Sequence, residues 1–102
     1  MKIDWIQKCV KNEKYYYSKH ADQERTNDNL TFSEIEEALL NGFILENYED
    51  TGRGKSCLIA GFTKKGKPLH VCCGQREYWL VIITIYIPTP PKFKNPFERG
   101  DK

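Results

Sequence analysis

The sequence predicts an α+β domain in which N-terminal helices pack on a curled, four-stranded antiparallel sheet. Two observations carry this prediction: apolar residues recur at helical spacing up to about residue 42, and they alternate with polar ones from there to about residue 87. A chain of 102 residues has the size of one domain with one core. We therefore expect a single domain over 1–102, with helices in 1–42, the sheet in 43–87 and a proline-rich basic tail in 88–102.

Three helices are expected in the first part of the chain. Apolar side chains at helical spacing predict the first helix over 3–12. Ser18 has the side chain of an N-cap, and it predicts a second helix over about 19–27. The third helix follows Thr31, which together with Glu34 matches the capping box S/T-x-x-E.

The sheet is expected to be a meander, because four strand-like segments follow one another with short links. The three tyrosines at 15–17 are too aromatic for a free linker, and we expect them to pack against the domain. Helices on one face of the sheet complete the predicted architecture. The four predicted strands are 43–48, 56–63, 68–74 and 78–87.

The composition argues against several classes of protein. No apolar run approaches the ~20 residues that span a membrane, and the N-terminus lacks the apolar stretch of a signal peptide, so we expect a cytoplasmic protein. Motifs for a metal or a nucleotide cofactor are not found. The cysteines form no C-x-x-C pair, and we interpret them as small buried hydrophobes: Cys9, Cys57, Cys72 and Cys73.

Charge is distributed unevenly along the chain. The first fifty residues carry six basic and eleven acidic side chains, whereas the remainder carries ten basic and three acidic ones. The second part therefore has the sign that a phosphate backbone prefers. Residues 52–56 end like a phosphate-binding loop, but Glu49 occupies the place of its first glycine and a strand is expected to follow. The remaining interpretation is a basic hairpin loop whose Arg53 and Lys55 can meet a phosphate.

Two groups of residues are candidates for acid–base chemistry. His20 and Glu24 are one helical turn apart, so a carboxylate can orient an imidazole, with Arg25 beside them. The alternative is a simple hydrogen bond on the helix surface. In the sheet, His70 faces away from its apolar neighbours, and Thr84 and Tyr86 share one face of the last strand. His70 can equally be a buried histidine with its hydrogen bonds satisfied.

Five sequence blocks resemble a small bacterial domain family found beside MqsA-like zinc-finger antitoxins. That family is grouped with RelE- and BrnT-like toxins, in the superfamily that includes barnase-like nucleases. The resemblance extends over roughly residues 15–99. The blocks are 18–25, 31–39, 54–61, 68–74 and 83–88.

The resemblance implies an endoribonuclease that cuts mRNA without a metal or other cofactor and is held inactive by an antitoxin, for which a zinc-finger protein is one candidate. His20 or His70 is then the general base or acid, Arg25 and Arg53 neutralise the phosphate, and Tyr86 orients it. The rival interpretation is a non-catalytic module that binds protein or RNA, and a homo-oligomer is left open. The full set of candidate residues consists of catalytic His20, Glu24, Arg25, His70 and Tyr86, and substrate-binding Arg53, Lys55, Thr84, Lys92 and Arg99.

Overall fold

The computed structural model describes residues 1–89, together with the backbone of two short strands at 93–95 and 98–99. It is a mixed α+β structure with three helices and a five-stranded sheet. The helices are α1 (Ile3–Lys11), α2 (Lys19–Asn27) and α3 (Phe32–Asn41). The strands are β1 (Tyr15–Tyr17), β2 (Phe43–Tyr48), β3 (Ser56–Phe62), β4 (Pro68–Arg76), β5 (Trp79–Tyr86), β6 (Phe93–Asn95) and β7 (Glu98–Arg99).

The helices begin where the sequence predicts. The Ser18 hydroxyl accepts a hydrogen bond from the amide of Ala21 at 3.0 Å and caps α2. At the start of α3, the Thr31 hydroxyl accepts from the amide of Glu34 at 3.1 Å, and the Glu34 carboxylate accepts from the amide of Thr31 at 2.9 Å. This is the predicted capping box, and it satisfies two amides that would otherwise lack partners.

The predicted four-stranded sheet is wrong in its number of strands. Strands β2 to β5 form the expected antiparallel meander, but β1 adds a fifth strand, which pairs with β5 in parallel. The order across the sheet is β1-β5-β4-β3-β2, and β6 and β7 form a separate two-stranded sheet. The three residues of β1 are too few to show a period of two. Their partner strand also lies near the other end of the chain, so nothing in the local sequence indicates the pairing.

One face of the sheet, here called the helix face, is covered by helices. The core there joins helix residues such as Ile6 and Leu39 to alternate strand residues such as Ile59 and Val71. The opposite side, turned away from α1 and α3, is called the distal face. Because side chains alternate along a strand, it carries His70 and the other residues at even positions of β3 and β4. An irregularity in the β4–β5 pairing shifts the register so that Cys72 pairs with Thr84 and His70 with Tyr86: both residues of β5 are therefore on the distal face.

All four cysteines are free thiols. Cys9, Cys57 and Cys73 are buried, as their interpretation as small hydrophobes predicts, whereas Cys72 is half-buried on the distal face. Burial raises the pKa of the Cys57 thiol to about 11. Among the residues that the structure describes, no helix is long and apolar enough to cross a membrane.

Candidate active site

The carboxylate of Glu24 is fixed between α2 and the edge of the sheet. Pairing between β1 and β5 ends at Ile82, and α2 lies beside the part of β5 that follows. There, Oε1 of Glu24 accepts hydrogen bonds from the Thr84 hydroxyl at 2.5 Å and from the amide of Ile85 at 3.0 Å. Glu24 thus takes the place that a neighbouring strand would have at this edge.

His20 completes this group from the solvent side. Its Nε2 lies 3.4 Å from Oε1 of Glu24, on the next turn of the same helix. The side chain of His20 is 69% exposed, whereas that of Glu24 is 25% exposed. The imidazole is therefore accessible from solvent, while the carboxylate beside it is held by the sheet. This is the arrangement of a general base or acid with a positioning carboxylate.

Arg25, predicted to bind phosphate, is engaged elsewhere in the domain. Its Nε and Nη2 donate to Oδ1 of Asp22 at 3.1 and 3.0 Å, and its Nη1 donates to the carbonyl of Leu30 at 3.1 Å. The guanidinium also lies 4.2 Å from the ring centroid of Phe32. These contacts tie α2 to the start of α3. The structure shows no contact of Arg25 with His20 or Glu24 among those it describes.

His70 and Tyr86 form a second group on the distal face. Nδ1 of His70 lies 3.3 Å from the hydroxyl of Tyr86, and the two rings meet edge to face with centroids 5.3 Å apart. His70 is fully buried and Tyr86 is half-buried. Thr84 is two residues before Tyr86 and on the same face, so β5 connects this group to the one around Glu24. Burial separates His70 from solvent, as the alternative of a satisfied histidine predicts.

A cleft of about 510 Å³ adjoins the same part of β5, at the turn between β2 and β3. Arg53 lines it, as does Arg76 at the end of β4, and Ile83 forms part of its wall. The turn is organised by Asp50, whose Oδ1 accepts from the amides of Gly52 and Gly54 at 2.8 and 2.9 Å. These hydrogen bonds lower the pKa of the Asp50 carboxyl.

The remaining basic candidates differ in how they relate to this cleft. Lys55 is exposed on the same turn but lines a neighbouring depression with Asp50. Arg99 belongs to β7, whose side chains are not described, and Lys92 lies outside the described residues. Sequence reasoning missed Arg76, because the third predicted strand ends at residue 74, whereas β4 extends to Arg76. Among residues 1–89, His, Cys, Asp and Glu side chains do not gather in threes suited to a metal ion.

Residues 17–87 match the model of a protein family described as a domain of unknown function (DUF4258). The chain belongs to this family. The match spans the helices α2 and α3 and the strands β2 to β5, and so includes both candidate groups and the cleft. In the comparisons with curated proteins and with solved structures, nothing matches the chain. The family description assigns no activity, so a function has to be inferred from the residues of the site.

Proposed function

We propose that the protein is a metal-independent endoribonuclease that cuts mRNA in the cytoplasm, the toxin of a toxin–antitoxin pair. The observation that carries the proposal is the His20–Glu24 pair. It combines an exposed imidazole with a carboxylate fixed by hydrogen bonds to Thr84 and Ile85. Groups of this kind cut RNA without a cofactor, because the 2′-hydroxyl of the substrate is itself the nucleophile.

In the proposed reaction, His20 acts as the general base. Its imidazole takes the proton of a ribose 2′-hydroxyl, and the 2′-oxygen attacks the adjacent phosphorus. The bond from phosphorus to the 5′-oxygen breaks, leaving a 2′,3′-cyclic phosphate, and the departing oxygen takes a proton from water. Glu24 holds the imidazole in place and stabilises the positive charge that it gains.

The other candidates receive roles that agree with their contacts. Arg53 supplies positive charge to the phosphates of the RNA from the turn between β2 and β3, and Lys55 adds to the field of that turn. Tyr86 orients the substrate from the distal face, and His70 holds the hydroxyl of Tyr86. Arg25 stabilises the connection between α2 and α3. The proposal includes an antitoxin of zinc-finger type that covers the site in the inactive complex.

Expression in a bacterium from a tightly controlled promoter tests the proposal. We expect growth arrest and cut transcripts after induction, and we expect His20→Ala to relieve both. Gln23→Ala is the matched control, because Gln23 is an exposed neighbour on α2. With the purified protein, an RNA oligonucleotide should be cut to a cyclic phosphate, and its 2′-O-methyl form should resist. Equal toxicity of the His20→Ala variant and the parent would contradict the assigned role of His20.

A non-catalytic binding module is the second candidate function. It is favoured by two observations: His70 is fully buried, and Arg25 is used in contacts within the domain. Under this alternative, expression of the folded chain leaves growth and transcripts unchanged. Alanine variants of the same residues then alter the free energy of unfolding and no activity.

A further inference from the structure

The cleft beside the turn between β2 and β3 is lined by a cationic side chain, that of Arg76, to which the proposed reaction gives no role. Arg76 and Arg53 both line the cleft, together with the hydroxyl-bearing Thr51 and Ser56. Among the described residues that line it, Glu49 supplies a carboxylate, and the nearby carboxylate of Asp50 is already engaged by the amides of Gly52 and Gly54. Two guanidinium groups with hydroxyl donors beside them favour an anion in this space.

The guanidinium of Arg76 is seated over two glycines. A Cβ at Gly54 would lie 3.0 Å from Nη1 of Arg76, and a Cβ at Gly74 would lie 3.1 Å from the same atom. Nη1 also donates to the carbonyl of Gln75 at 3.0 Å. A methyl group at either glycine would require Nη1 to shift by a few tenths of an ångström. The absence of side chains at these two positions therefore makes room for Arg76 at the cleft.

The turn that carries Arg53 is fixed relative to Arg76. The amide of Gln75, next to Arg76, donates to the carbonyl of Lys55 at 3.0 Å. Gly54 has φ of +92°, a conformation that other residues adopt at a cost, and the Asp50 carboxylate holds its amide. The two arginines are thus placed at one cleft by backbone hydrogen bonds.

The cleft and the His20–Glu24 pair are connected through consecutive residues of β5. Ile83 is part of its wall, and the following residue, Thr84, donates its hydroxyl to Glu24. We infer that the cleft is a phosphate subsite for single-stranded RNA, in which Arg53 and Arg76 bind a phosphate neighbouring the one that is cut. The choice of RNA rests on the proposed function, whereas the binding itself requires no cleavage.

Binding of a 2′-O-methyl RNA oligonucleotide, measured by fluorescence anisotropy, tests the subsite. The methyl group blocks the nucleophile, so binding is measured without cleavage. We expect Arg53→Ala and Arg76→Ala each to raise the Kd about fivefold to tenfold near 0.1 M salt. The double variant should also make the negative slope of the log association constant against log salt concentration less steep by about 0.7, the value for one lost phosphate contact on a single strand. Arg76→Lys should recover part of the affinity, because it keeps the charge but not the two-pronged geometry.

Lys65→Ala is the matched control, since Lys65 is an exposed cation in the turn between β3 and β4. It should bind as the parent does, and circular dichroism should show that all variants are folded. The inference is overturned if the parent does not bind the oligonucleotide, or if the arginine variants bind as tightly as Lys65→Ala. A parent that binds through both arginines but cuts no RNA would contradict the proposed function and leave the subsite standing. If the parent cuts RNA but the arginine variants bind as the parent does, the subsite is contradicted and the proposed function is left standing.

Discussion

The two faces of the sheet use the same strands for different purposes. The helix face is apolar and closely packed: a Cβ at Gly61 would lie 2.0 Å from the carbonyl oxygen of Ala38 in α3. The distal face carries the His70–Tyr86 pair and, at one end, the cleft with Arg76. A single residue step along a strand therefore separates the apolar core of the helix face from the distal face, where Leu58, Ala60 and His70 are also buried.

Neighbouring cysteines show this difference within two residues. Cys73 is buried in the core of the helix face, whereas Cys72 is half-buried on the distal face. Burial raises the pKa of both thiols, and it raises that of Cys73 to well above its ordinary value. Two consecutive residues of β4 thus differ in burial because they point to opposite faces of the sheet.

The largest effect is expected at Gly61, where the contact between the sheet and α3 is closest. Gly61→Ala should lower the free energy of unfolding by about 3 kcal/mol, because the methyl group meets the backbone of Ala38, which cannot rotate away. Urea unfolding followed by circular dichroism measures the change. Gly66→Ala is the control: Gly66 has a positive φ of 85° but nothing within 4 Å of its Cβ position. Equal losses for the two variants would show that the close contact at Gly61 costs no more than the backbone strain at Gly66.

A smaller effect is expected for the two histidines, whose alanine variants should differ in the free energy of unfolding. His70→Ala should lower the free energy of unfolding by about 2 kcal/mol, because it leaves a cavity and removes the hydrogen-bonding contact with Tyr86. His20→Ala should change the same quantity by less than about 0.5 kcal/mol, because its side chain is largely exposed. Thermal or urea unfolding of both variants provides the comparison. The reverse ranking would mean that the distal face contributes little to stability at His70.

An effect smaller than that of His70→Ala is expected at the capping box of α3, which anchors the helix face. The pKa of Glu34 is lowered, first by its hydrogen bond from the Thr31 amide, so the folded state favours the ionised carboxylate. Its contribution is present above the ordinary pKa of 4.5 and is lost as the pH falls through the lowered value. We expect Glu34→Gln to lower the free energy of unfolding by about 0.5 kcal/mol at pH 7. The difference from the parent should vanish near pH 2. A difference that persisted in acid would contradict a role for the charge.

Much of this architecture could be predicted from local sequence. The caps at Ser18 and Thr31 are short-range signals, and the two periodicities separate helices from the meander. The faces of His70 and Thr84 also followed from alternation along a strand. The features of the fold that local sequence did not predict depend on residues far apart in the chain. The parallel pairing of β1 is a tertiary contact, and no pattern within its three residues specifies it.

Local sequence also predicted only part of the candidate active site. The spacing of His20 and Glu24 indicated their proximity, but not that Thr84 and Ile85 would fix the carboxylate from another element. Arg25 looked free to bind phosphate, because its contacts with Leu30 and Phe32 depend on how the chain turns between two helices. Arg76 lies beside Gly54 and Gly74, and local sequence does not indicate that these two glycines come together.

The position of β1 at the edge of the sheet has a consequence for the order in which the chain assembles. Its only partner among the described strands is β5, so the first strand to be synthesised cannot pair until the last strand of the meander exists. The entropic cost of closing the loop between β1 and β5 grows only slowly with the length of that loop. The late pairing of β1 therefore follows from the order of the strands in the chain more than from a large free-energy cost. α1 and most of β1 also precede residue 17, where the family match begins, although Ile6 and Val10 belong to the core. The unit that folds is longer than the unit by which the family is recognised.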